Sequence, residues 1–83
     1  SKMEEEKKKY YNINFKKLFQ MEMSDFSPSE MVVLVVIAKF NRPVTEEEVM
    51  AEIERLGLKD KSDEELVEWI MDWKRKKDIE IMN

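Results

Sequence analysis

The chain has 83 residues, of which 41% are charged and 42% hydrophobic, and its net charge at pH 7 is −4. It contains neither cysteine nor histidine, which excludes disulfides and thiolate metal sites and removes the commonest general base. One glycine and two prolines predict short loops and a mostly helical chain. The charge-rich composition is typical of a cytoplasmic protein from a heat-adapted organism. The single long apolar run is internal and too short to span a bilayer, so we expect neither a secretory signal nor a membrane partner.

The charges are distributed unevenly along the chain. Residues 1–20 carry six lysines against three glutamates, and residues 73–83 carry four basic against two acidic side chains. Between them, residues 21–72 carry fourteen acidic and five basic side chains. A basic arm and a basic tail therefore flank an acidic body, which is unlike the broad basic surface of a protein that wraps DNA.

The first segment is predicted to be a helix over residues 4–20. Four apolar residues recur on one helical stripe: Tyr11, Phe15, Leu18 and Phe19. An extended conformation is the alternative, because residues 11–15 and 19–23 both alternate with period two and asparagine is a poor helix former. Together with the connection that follows, this segment forms a predicted N-terminal aromatic arm, residues 1–25.

A central helix is predicted over residues 28–40. Ser27 and Glu30 have the spacing of a capping box, and Pro28 suits the first helical position. The next eight residues are all apolar, so we expect other elements to cover this helix on most sides. The residue before Pro43 is pushed out of helical geometry, which ends the helix.

A second capping box opens the next predicted helix. Thr45 and Glu48 form this box, and Gly57 ends the helix where a left-handed residue is needed. The predicted apolar face of the helix has four members: Val49, Met50, Ile53 and Leu56.

The last predicted helix begins at a third capping box, formed by Ser62 and Glu65. Its apolar face has three members: Leu66, Ile70 and Trp73. Residues 78–81 then alternate between charged and apolar as a strand does, and with the extended Pro43-Val44 they predict a minimal two-stranded β element.

This order of elements resembles a winged helix-turn-helix domain. The segment RPVTEEEVMAEIERLGL is similar to its first strand and second helix, and DEELVEWIMDWKRKKDIEI to its third helix and first wing strand. The nearest pattern is the small winged-helix domain at the C-terminus of archaeal minichromosome-maintenance helicases. The resemblance covers residues 26–83 and implies a mostly α fold with a three-helix winged-helix-like core, whose wing we expect to be truncated.

The resemblance implies a task in an archaeal-type replication or transcription machine. In DNA-binding members the third helix enters the major groove, but here it begins with Asp63, Glu64 and Glu65, which would face phosphates. We therefore expect a non-catalytic interaction module, an accessory subunit or domain that docks onto another protein and binds DNA weakly or not at all. The alternative is a DNA-binding winged helix that uses its basic tail and arm. Homo-oligomerisation through the aromatic arm also stays open.

Aromatic side chains are the candidate partner-binding residues. Five are singled out: Tyr11, Phe15, Phe19, Trp69 and Trp73. Trp69 lies further from the apolar face of its helix than Trp73 and is the better candidate for a partner surface. The alternative is that these side chains pack on the chain's own core.

A basic stretch supplies the candidate nucleic-acid contacts: Lys74, Arg75, Lys76 and Lys77. Such residues equally suit the negative end of a helix dipole. The carboxylates at the helix N-termini lack the spacing of a calcium loop, and one glycine cannot form a phosphate-binding loop. We therefore predict no catalytic, cofactor-binding or metal-binding residue, and no enzymatic activity.

Overall fold

Residues 8–82 are described by a computed structural model of the chain. Their helices are α1 (Phe15–Phe19), α2 (Pro28–Phe40), α3 (Glu46–Arg55) and α4 (Asp63–Met82), with a short 3-10 helix at Met23–Asp25. The described chain is mostly helical, as predicted.

Helix α2 has the predicted bounds and the predicted cap. The Ser27 N–H donates to Glu30 Oε1 at 2.9 Å, and the Glu30 N–H donates to Ser27 Oγ at 3.2 Å. The helix ends at Phe40 because Asn41 adopts a left-handed conformation with φ of 54°. Asparagine tolerates this conformation better than most residues. The helix therefore ends at Phe40, before the restriction that Pro43 places on the backbone of the preceding residue.

The core is built around α2, which is covered on most but not all sides. Six of its side chains are buried, and Val35 and Val36 have no exposed surface. Val33 and Leu34 are only partly buried. One side of α2 therefore remains accessible, because α1, α3 and α4 pack against the other sides.

Helix α3 begins and ends as predicted. Thr45 and Glu48 form a complete capping box. At the other end the Leu58 N–H donates to the Ile53 carbonyl and the Gly57 N–H to the Glu54 carbonyl, which is a Schellman motif with Gly57 at φ of 69°. Met50 differs from the prediction of an apolar core face, because it is 48% exposed.

Helix α4 is longer than predicted, and the strand predicted over residues 78–81 is wrong. Those residues continue the helix to Met82. The segment contains no glycine or proline that would break the helix, and ion pairs at helical spacing join Asp72 with Lys76 and Lys77 with Glu80, each at 3.0 Å. An alternation over four residues is too short a signal to override these local preferences.

The helix predicted over residues 4–20 is wrong for most of its described length. Residues 4–7 lie outside the described part, and residues 8–14 are not helical. Asn14 caps α1 by accepting a hydrogen bond from the Lys17 N–H at 2.8 Å, and its own extended backbone stops the helix from continuing backwards. The extended alternative thus fits residues 11–14, but it is wrong for residues 19–23, where Phe19 ends α1 and Met23 begins the 3-10 helix.

A single β-bridge replaces the predicted two-stranded element in the described part of the chain. The Tyr11 N–H donates to the Val44 carbonyl at 2.7 Å, and the Val44 N–H donates to the Tyr11 carbonyl at 2.9 Å. Val44 is extended, as predicted, but its partner comes from the N-terminal segment. Leu18 of α1 is buried in the core cluster, so this segment also contributes to the hydrophobic core.

Two isoleucines of α4 provide a matched test of the core. Ile70 is 2% exposed and Ile79 is 56% exposed. We expect Ile70→Ala to lower the free energy of unfolding by about 2–5 kcal/mol, because it removes buried carbons and leaves a cavity. Ile79→Ala should change it by less than about 0.5 kcal/mol. Urea denaturation measures both values, and equal losses at the two positions would contradict this arrangement of α4.

The capping boxes predict a loss of stability in acid. The backbone N–H of Ser27 lowers the pKa of Glu30, the Ser62 N–H lowers the pKa of Glu65, and Arg42 with the Thr45 N–H lowers the pKa of Glu48. A carboxylate whose pKa is lower in the folded state stabilises the protein above the unfolded pKa, near 4.3 for glutamate, and loses this contribution as the pH falls through the folded pKa. The melting temperature should therefore decrease as the pH is lowered below about 4.3.

A glutamine triple variant isolates this effect. Three changes keep the capping hydrogen bonds and remove the titration: Glu30→Gln, Glu48→Gln and Glu65→Gln. The melting temperature of this variant should depend less on pH in that range than that of the parent protein. A matched control changes three exposed glutamates: Glu47→Gln, Glu54→Gln and Glu64→Gln. If both variants retain the full acid sensitivity, the capping glutamates are not its cause.

Candidate protein-interaction surfaces

Three of the predicted partner-binding residues form one aromatic cluster, defined by Phe15, Phe19 and Trp73. The ring centroid of Trp73 lies 5.6 Å from that of Phe15 and 5.9 Å from that of Phe19. All three side chains are partly buried. The cluster joins α1 to α4, so these residues pack on the chain's own core, which was the alternative interpretation. Their binding of a partner stays a prediction.

The other two predicted residues lie outside this cluster. Tyr11 is exposed and lies near the N-terminus of α3, where it lines a depression with Glu46. Trp69 is partly buried, and the Lys39 ammonium lies 5.6 Å from the centroid of its ring. The five aromatic residues therefore do not form one binding surface.

The basic stretch of α4 makes contacts within its own chain. The Lys77 ammonium lies 4.0 Å from the centroid of Phe15 and 3.0 Å from Glu80 Oε2. Lys74 lies 5.8 Å from the centroid of Phe19. Cations over aromatic faces are attracted by the ring, so both side chains support the packing of α1 on α4.

Asp72 engages the remaining two basic side chains of the stretch. Lys76 Nζ lies 3.0 Å from Asp72 Oδ2, and the Arg75 guanidinium donates a hydrogen bond to Asp72 Oδ1. The hydrogen bond from Lys76 is the main reason that the pKa of Asp72 is lowered. Three of the four predicted nucleic-acid contacts thus have an acidic partner with which a phosphate would compete, and the fourth, Lys74, lies over an aromatic ring.

An apolar groove between α2 and α3 was not singled out from the sequence. One depression of about 290 Å³ is lined mainly by Val33, Ile37, Val49 and Met50. Val33 and Met50 also line the next depression, of about 230 Å³, which ends at Leu58 and Leu66. The two depressions adjoin each other at these two residues, and together they are called the α2–α3 groove below.

The α2 side of the groove widens towards the start of the helix. A third depression, of about 270 Å³, is lined by Phe26, Glu30, Val33 and Leu34. The sequence contained a signal for this surface, because a helix that is apolar on nearly all sides needs more cover than three other helices and one extended segment provide. The accessible apolar surface is therefore a consequence of the composition of α2.

Charged side chains of both signs line the α2–α3 groove. Glu46 lines the depression at the Tyr11 end, and Lys59 and Lys61 line the depression at the Leu58 end. Glu30 lines the third depression, with Phe26, Val33 and Leu34.

No family model, no curated protein and no solved structure matches the chain. Within residues 8–82, no group of three or more histidine, cysteine, aspartate or glutamate side chains is placed to hold a metal ion. In the same range, no helix has the length and apolar character needed to cross a membrane.

The contacts of the basic stretch predict weak binding to duplex DNA. We expect a dissociation constant above about 10⁻⁶ M at physiological salt, since the basic side chains are paired within the chain and α4 begins with three acidic residues. Fluorescence anisotropy with a labelled duplex at several salt concentrations measures this constant.

A pair of variants tests the role of the stretch itself. One carries Arg75→Glu and Lys76→Glu in α4, and the control carries Lys59→Glu and Lys61→Glu in the loop between α3 and α4. Both make the same change in net charge. A dissociation constant below about 10⁻⁶ M, with binding lost only in the α4 variant, would contradict the prediction and favour the DNA-binding alternative.

Proposed function

We propose that this protein is a non-catalytic protein-interaction module and that the α2–α3 groove is its docking surface. The observation that carries this proposal is a pair of adjoining apolar depressions between α2 and α3, with Met50 48% exposed beside both. Apolar side chains that stay in contact with water on a small protein gain free energy when another protein covers them. The predicted aromatic residues, apart from Tyr11, lie outside this surface.

Protein is preferred to nucleic acid as the ligand on grounds of charge. Helix α4 carries seven carboxylates and four basic side chains, and the basic ones already contact Asp72, Glu80 or an aromatic ring. A surface that binds DNA without base contacts needs several cations available for phosphates. An apolar groove offers no such contacts and suits apolar side chains.

We also propose a winged-helix relationship and a cytoplasmic role as an accessory subunit or domain of an archaeal-type nucleic-acid machine. What supports the relationship is the order of α2, an extended Val44, α3, the Gly57 turn and α4. The role in such a machine is supported by the sequence resemblance alone. In this proposal the bridge between Tyr11 and Val44 takes the place of a strand pairing with the wing.

Site-specific photo-crosslinking in cells of the source organism tests the docking surface. A photoreactive amino acid replaces Met50 in one protein and Met71 in the control, because the two methionines are 48% and 49% exposed. We expect a discrete protein adduct from position 50 and at least about tenfold less from position 71. Equal yields from the two positions, or none from position 50, would contradict the proposal.

A further inference from the structure

We infer that the occupant of the α2–α3 groove is the last turn of α4 from a second copy of this chain, seated at the Leu58 end. This inference rests on the proposed docking function. It names the partner, the segment that enters the groove and the charges that guide it.

The Leu58 end of the groove combines an apolar floor with positive charge. Its charged lining residues are Lys59 and Lys61, whereas the depression at the Tyr11 end is lined by Glu46. A ligand that carries apolar side chains beside a carboxylate is therefore attracted to the Leu58 end and disfavoured at the other. The floor at the Leu58 end is formed mainly by Val32, Val33, Met50, Ile53, Leu58 and Leu66.

The last turn of α4 carries this combination of side chains. Asp78, Ile81 and Met82 are spaced i, i+3 and i+4, so they are neighbours on one side of the helix. Ile81 is 59% exposed and Met82 is 85% exposed. Every residue from 78 to 82 is exposed, so this turn stands clear of the chain's own core. It presents two apolar side chains and one carboxylate to a neighbouring molecule.

The charges that would meet are not engaged in ion pairs with each other's competitors. Within residues 8–82, the ion pairs between side chains involve residues other than Asp78, Lys59 and Lys61. Lys61 also lies near Glu65 and helps to lower the pKa of that carboxyl, so Lys59 is the less engaged of the two lysines. Pairing Asp78 with Lys59 therefore breaks no ion pair among the described residues.

The middle of α4 is less suited to enter the groove than its last turn. Val67 and Met71 are exposed there, but the same turns of the helix pack on the core through Leu66 and Ile70. A second copy that offered this stretch would have to bring its whole body against α2 and α3. The last turn has no buried side chain and can enter a depression between two helices.

The size of the contact predicts weak self-association. Two apolar side chains and one ion pair make a small interface, of the kind found in transient complexes. Because each copy carries both the groove and the helix end, no further component is needed for the contact to form. We expect a dissociation constant of about 10⁻⁴ M for the full chain, so the associated fraction rises steeply with protein concentration.

Sedimentation equilibrium of the full chain, from about 10⁻⁵ to 10⁻³ M, measures this association. Two isoleucines of nearly equal exposure locate it, because Ile81 belongs to the inferred face and Ile79 points to a different side of the helix. We expect Ile81→Ala to raise the dissociation constant about tenfold and Ile79→Ala to change it less than about threefold.

A charge exchange identifies both sides of the contact. Asp78→Lys alone, and Lys59→Glu with Lys61→Glu alone, should each weaken self-association at least about tenfold, because each places like charges together. In an equimolar mixture of these two proteins, every groove meets a helix end of opposite charge, so association should return to within about threefold of the parent. The control Glu68→Lys makes the same charge change in α4 as Asp78→Lys and should have less than about a threefold effect.

The outcomes separate this inference from the proposed function. A chain that stays monomeric at about 10⁻³ M would overturn the inference, while photo-crosslinking at position 50 would still decide the docking function. Self-association that ignores Ile81→Ala, or two charge variants that do not associate when mixed, would also overturn it. An adduct from position 50 with the mass of two copies supports both proposals. An adduct with a different protein from a monomeric chain would leave the docking groove and overturn its occupant.

Discussion

The need to cover α2 is the constraint on which the rest of the structure depends. Its eight successive apolar residues cannot face water together, yet the other described elements are three α-helices, a short 3-10 helix and one extended segment. Helix α4 supplies Leu66 and Ile70, α3 supplies Val49 and Ile53, and α1 supplies Leu18. Because valine has little rotamer freedom in a helix, these contacts and not local propensity hold α2 in place.

The same constraint explains the position of the candidate site. Three helices packed around α2 cover most of its circumference. The side of α2 that contains Val33 and Leu34 stays uncovered, next to α3 and near the start of α2. Met50 occupies the edge of that side. A core that its own chain covers incompletely creates an interaction surface without any specialised loop.

Charge has two separate tasks in this protein. Glutamates at the helix N-termini complete capping boxes and interact favourably with the helix dipoles. Other carboxylates pair with basic side chains of the same helix, as Asp72 does with Lys76 and Glu80 with Lys77. The basic side chains of α4 thus contact acids one helical turn away or aromatic rings of α1.

By itself, the sequence determined the elements whose signals are local. Three capping boxes and Gly57 after α3 mark helix ends through contacts between residues at most five positions apart, and the structure has helices at those bounds. The end of α2 was predicted from Pro43, and in the structure the left-handed Asn41 sets it. Only the tertiary structure decided what distant segments do. Val44 pairs with Tyr11 and not with residues 78–81, and Val33 and Met50 line a depression, because these outcomes depend on which surfaces remain after the helices pack. Periodicity identifies an apolar face, but it does not say how much of that face the rest of the chain can cover.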